Sequence, residues 1–130
     1  MTTCGVWPTS RGLVAVLIDS AGRARSLSVA DSDEAHWGLS QRLAAVGADL
    51  VLDQALLESN RIADVARCAG VTVWIAGPPL LDALRSAAGI ARRGARPSAA
   101  LLARLPAIPW LRTLLRRLEQ PVDDRQITLL

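Results

Sequence analysis

Carboxylates, one histidine and a set of arginines are the side chains in this sequence that could do chemistry. Asp53 closes the apolar run Leu50-Val51-Leu52, and a carboxylate at the mouth of a buried strand can hold Mg²⁺ or Mn²⁺. The plainer role for such a residue is to end the strand and cap the turn that follows. Phosphoryl transfer by two metal ions needs several oxygen ligands around ions roughly 3.5–4 Å apart, so Asp53 alone is insufficient. Asp19 and Asp82 are the acids that could join it, yet both have ordinary turn or helix explanations. Nucleophilic catalysis finds less support. His36 is the only histidine and has no evident nucleophile to serve, while Ser10, Ser59 and Ser98 have no evident base. Cys4 and Cys68 lack metal-ligand spacing and read as free thiols of a cytoplasmic protein. No glycine-rich phosphate loop ending in Gly-Lys-Ser/Thr is present.

The arginines are the second feature. All 15 basic residues are Arg, against 12 acids. From Arg85 onward, Arg85, Arg92, Arg93, Arg96, Arg104, Arg112, Arg116, Arg117 and Arg125 face only Glu119, Asp123 and Asp124. Guanidinium groups match phosphate geometry, so a basic C-terminal third suits DNA or RNA. The alternative is compositional bias, since the chain is also rich in Ala. Trp7, Trp37, Trp74 and Trp110 are the only aromatic residues.

These groups need a scaffold. With 130 residues, 51% of them hydrophobic, the chain is large enough for one domain with a real core. The longest apolar runs fall short of the roughly 18–20 residues of a membrane span, and no secretory signal pattern opens the chain. A first strand through Val6 and Trp7 leads to the apolar run Leu13–Ile18. Asp19-Ser20-Ala21-Gly22 then has hairpin-turn composition, and Arg25–Val29 alternates as a half-solvated strand. Asp31 with Glu34 predicts a capping box for a helix through Leu39, Leu43 and Val46, stopped by Gly47. Asp49–Asp53 is a short buried strand. Asn60 is placed to cap a helix through Ile62, Val65, Ala66 and Ala69, and Gly70 stops it. Val71–Ala76 is a fifth strand, and Pro79 suits the first turn of a helix running to Ala88.

The order is βββαβαβα, an α/β arrangement with a mixed sheet flanked by helices. Residues 1–90 form this core. Residues 91–130 are expected to form a basic loop over Ala91–Ser98, a helix over Ala99–Leu105 and a last helix over about Trp110–Glu119. That last helix would place Trp110, Leu111, Leu114, Leu115 and Leu118 on one stripe, either packed on the core or forming a homodimer seam.

Element order and four short motifs give a resemblance over roughly residues 4–104. The chain is similar to the RNase H/RuvC-like N-terminal domain of DEDD-type insertion-sequence transposases. That family opens with Gly-hydrophobic-Asp, where this chain has Gly5-Val6-Trp7. Its fourth strand ends in an acid, here Asp53, and its fifth leads to an Asn-Pro-like turn, here Gly77-Pro78-Pro79. A Lys-Thr-Asp-x-x-Asp-Ala segment then opens a helix. Arg92–Ser98 aligns with it, placing Gly94 and Pro97 where the aspartates would be. The resemblance therefore implies an RNase H-like fold in which Asp53 is the one surviving carboxylate of four.

Three functions follow as expectations. The first is a catalytically disabled, transposase-related domain that binds nucleic acid through Arg92, Arg93, Arg96, Arg112, Arg116 and Arg117, without metal or other cofactor. The second is a homodimeric interaction module without nucleic acid. The third is a Mg²⁺- or Mn²⁺-dependent nuclease with relocated ligands, Asp53 joined by Asp19 or Asp82.

Overall fold

The computed structural model describes residues 2–77, 94–107 and 113–118. Three antiparallel strands open it: β1 (Thr3–Thr9), β2 (Gly12–Ile18) and β3 (Ala24–Ala30). Asp19 builds the β2–β3 turn, its Oδ1 accepting from the Ala21 and Arg23 amides at 2.9 and 3.0 Å. Helix α1 (Asp33–Ala45) is capped by Ser32, whose Oγ accepts from the Ala35 amide at 3.2 Å. The cap is thus one residue beyond Asp31, which instead accepts a hydrogen bond from Asn60 at 2.8 Å. Gly47, with φ +67°, ends the helix as expected.

Strand β4 (Asp49–Asp53) runs parallel to β1, and β5 (Val73–Ala76) runs parallel to β4. Between them lie two short helices, α2 (Gln54–Ser59) and α3 (Ile62–Cys68). Only the second is expected from sequence; α2 follows Asp53 directly, with no glycine or proline to mark its start. Helix α4 (Ala95–Arg104) begins inside the expected loop. Pro97 falls in its first turn, where a missing amide hydrogen costs nothing, so the proline starts this helix rather than delaying it. A 3₁₀ turn, Leu105–Ala107, follows.

The expected last helix is corrected over its described part. Arg116–Arg117 form a short strand, β6, antiparallel to Ile75 and Trp74. The Leu118 amide donates to the Val73 carbonyl at 2.8 Å. The physical reason lies in the open edge of β5, whose unpaired backbone groups accept a strand partner. Leucines read as a helical stripe are therefore divided: Leu115 packs with the α4 core, and Leu118 packs against the other one.

The sheet order is β3-β2-β1-β4-β5-β6. One face carries α1 and α3, with Leu39, Leu43, Ile62 and Ala66 packed on Val6, Leu50, Leu52 and Ile75. The other carries α4, where Leu102 and Leu105 meet Val51, Ala76, Trp7 and Trp74. Gly5 lets α4 approach: a Cβ there would lie 1.9 Å from the Ala99 carbonyl oxygen and 2.7 Å from the Ala103 nitrogen. Thr3 Oγ1 also donates to the Ala103 carbonyl, tying the start of β1 to the end of the helix. The expected helix from Pro79 to Ala88 lies outside the described residues.

Candidate functional site

The α4 face of the sheet collects the residues that the sequence motifs single out. Gly5 and Val51 are the last paired residues of the parallel β1–β4 ladder, and Trp7 and Asp53 each lie two residues further along their strands. Both lie on the α4 face, because Val51 and Trp7 share its core. Trp7 pairs with Val14 on β2, and Val14 with Ser28 on β3. Trp7, Val14 and Ser28 thus form one row across three strands, with Asp53 at the end of the neighbouring β4. Gly94 is the N-cap of α4 and Pro97 lies in its first turn.

Asp53 is 9% exposed, and its Oδ1 accepts from the Leu56 amide at 2.9 Å, capping α2. One face of the carboxylate is therefore committed to backbone. Its neighbour Trp7 is half-buried, brings no oxygen ligand, and fills space against Val51 and Leu102. Asp19 is held in its hairpin turn on another part of the chain, and Asp82 lies outside the described residues. Among the described residues, no three His, Cys, Asp or Glu side chains group so as to hold a metal ion. The side chains present at this row do not fit a two-metal centre.

The arginines expected to contact nucleic acid are divided between the two edges of the sheet. Arg92, Arg93 and Arg112 lie outside the described residues. Arg96 is exposed at the start of α4, and its Nε donates to Ser26 Oγ on β3 at 2.8 Å. Arg116 and Arg117 are exposed on β6, at the opposite edge, and Arg116 donates to Gln54 at 3.0 Å. Five strand spacings, roughly 24 Å, separate these two edges. Of the leucine and tryptophan stripe, Leu114 is 57% exposed, Leu115 is buried, and Trp110 and Leu111 lie outside the described residues.

Two features were not visible in the sequence. Trp74 is half-buried against the α4-side core, and its Nε1 donates to Asp49 on β4 at 2.9 Å. On the α1/α3 side, a cleft of about 500 Å³ is lined by Asp31, Asp33, Glu58 and Asp64 around His36. His36 is 2% exposed, with Nε2 3.2 Å from Asp31 Oδ1. The acids belong to separate segments, which is why no spacing in the sequence announces them. Burial pushes the Cys4 thiol up to about 12, whereas Cys68 is exposed.

Comparison with solved structures gives the architecture a relation. The structure of Thermus thermophilus RuvC is similar at 16% identity with a TM-score of 0.61, covering 91% of this chain and 100% of that one. T. thermophilus RuvC in complex with Holliday junction substrate is similar at 15% identity with a TM-score of 0.64, covering 91% and 99%. The chain has the RuvC/RNase H-like fold. No family model and no curated protein sequence matches it. No helix among the described residues is long and apolar enough to cross a membrane.

Proposed function

We propose that this chain is a non-catalytic, cytoplasmic RuvC-like domain, related to the mobile-element transposases, that binds nucleic acid. One observation carries the reading. Trp7 stands on the α4 face of β1, the strand that pairs with β4, at the position where the transposase resemblance places a metal-binding aspartate. A side chain without oxygen ligands there, next to a carboxylate engaged as a helix cap, removes the charge needed to hold two divalent ions.

Nucleic acid is the favoured partner because a similarly folded protein is described in complex with a Holliday junction, and because this chain is arginine-rich toward its C-terminus. Arg92, Arg93, Arg96, Arg112, Arg116 and Arg117 are the proposed contacts, with Arg96 foremost because it stands on the α4 face. Such contacts go to the phosphate backbone and weaken steeply with salt. The division into a core over residues 1–90 and a basic extension over 91–130 is part of the same proposal. A homodimeric reading draws on the exposed Leu114, and sedimentation of the chain truncated after Leu105 tests it.

The test combines two assays on one preparation. Labelled DNA is incubated with the protein and Mg²⁺ or Mn²⁺, and intact substrate with salt-sensitive binding is expected. Metal-dependent cleavage that disappears in Asp53→Ala would replace this reading with a nuclease using relocated ligands.

A further inference from the structure

Two neighbouring clefts share Val14 and Ser28 and together make a groove along β2 and β3; the one nearer the β1–β2 turn is also lined by Leu13 and Val29, which pack toward the α1/α3 core. One part, about 320 Å³, passes Ser26 and Arg96; the other, about 380 Å³, passes Thr9, Ser10 and Arg11. Among the described residues, neither lining contains a carboxylate. Arginine stands at each end and hydroxyls line the length between them. The cleft on the opposite side of the sheet is lined by four acids. That acidic cleft also contains Arg61, so the contrast is between these clefts and not between whole faces.

Arg96 Nε donates to Ser26 Oγ at 2.8 Å, which spends one of the five guanidinium donors and fixes the group at the groove wall. Ser26 and Ser28 lie exposed on one face of the edge strand β3, roughly 7 Å apart. That interval is comparable to the distance between successive phosphates of an extended single strand. Ser28 is at the end of the row that contains Val14 and Trp7, so the groove runs past the strand that carries Trp7.

We infer that this groove is a track for the phosphate backbone of single-stranded nucleic acid. Arg96 and Arg11 grip phosphates at its two ends, and the hydroxyls of Thr9, Ser10, Ser26 and Ser28 donate hydrogen bonds between them. The inference rests on the nucleic-acid-binding reading and adds to it the surface, the form of the strand and a sequence-independent mode of contact. Neutralising two phosphates on a single strand accounts for roughly 1.4 of the slope of log affinity against log salt.

Fluorescence anisotropy of a labelled single-stranded oligonucleotide, titrated with the full chain across a salt series, tests it. Arg11→Ala/Arg96→Ala is expected to weaken binding about tenfold at low salt and to reduce the salt slope by roughly 1.4. Ser26→Glu/Ser28→Glu, at exposed positions, is expected to weaken binding by repelling phosphate. Arg42→Ala/Arg61→Ala removes the same charge from the α1/α3 side. That variant is expected to bind within about twofold of the unaltered chain, because neither arginine lines the groove and no phosphate is released. Circular dichroism identifies any variant that has lost its fold, and the other groove variant then decides. Binding by the unaltered chain that both groove variants retain would overturn the track and leave the nucleic-acid reading standing. No binding by the unaltered chain at low salt would overturn both.

Discussion

On the α4 face of the sheet, helix and strand meet at backbone distance; on the α1/α3 face, they meet through side chains. Gly5 makes the first possible by leaving room for the Ala99 carbonyl, and Ala99, Ala103 and Thr3 complete the contact. Leu39, Leu43, Ile62 and Ala66 make the second, interdigitating with the strands. The faces also differ at their rims, with an arginine and hydroxyl groove on one side and an acidic cleft around His36 on the other. The close-packed face holds its helix against β1 and β4, beside Trp7 and Val51. The other face supplies most of the buried apolar area and hence the larger share of hydrophobic stabilisation.

Four experiments probe this contrast, beginning with the most damaging change. Gly5→Val places branched carbon where only hydrogen fits, and is expected to prevent α4 from docking. Calorimetry should show a loss beyond the roughly 1–3 kcal/mol of ordinary overpacking, and an unchanged melting temperature would refute the close approach. Leu43→Ala opens a cavity in the other core at a cost of about 2–5 kcal/mol in urea unfolding, without altering the α4 groove. If it also weakened nucleic-acid binding in proportion, the two faces would not be separable.

Asp53→Ala removes the α2 cap and is expected to cost about 0.5–2 kcal/mol, while Asp53→Asn retains most of it. Added Mg²⁺ separates two roles: a cap gives the same unfolding curve with and without the ion, whereas a metal ligand gives stabilisation that both variants lose.

The smallest effect concerns the thiols. A thiol reagent at neutral pH should label Cys68 and spare Cys4 until the chain unfolds. The folded state holds the Cys4 proton up to about 12, against an ordinary value of 9.0. Its contribution to stability is therefore complete below pH 9.0 and declines as pH rises toward 12, because the unfolded chain ionises first. Equal labelling of both cysteines in the native protein would contradict the burial of β1.

Much of this architecture is legible from local signals. Asp19 and Gly22 announce the hairpin, Gly47 and Gly70 the helix ends, and the apolar runs the central strands, because each acts within a few residues. Elements that depend on distant partners are not legible in this way. Arg116 and Arg117 become a strand only because β5 offers an unpaired edge, and nothing in the repeating leucines records that edge. Pro97 resembles a breaker and so predicts a late start for α4, although a first-turn proline favours a helix. At the site, Gly5-Val6-Trp7 and Asp53 stand out in the sequence, but their placement on adjacent strands depends on the parallel pairing of β1 and β4. The groove joins residues from the β1–β2 turn, β3 and α4, so no sequence window contains it.

Whether this domain holds nucleic acid without cutting it is decided by an anisotropy titration of the unaltered chain with labelled single-stranded DNA across a salt series, Mg²⁺ present throughout. Binding whose affinity falls steeply with salt, with the oligonucleotide recovered intact, is the expected result. Absence of binding at low salt, or recovery of cleaved DNA, would contradict it.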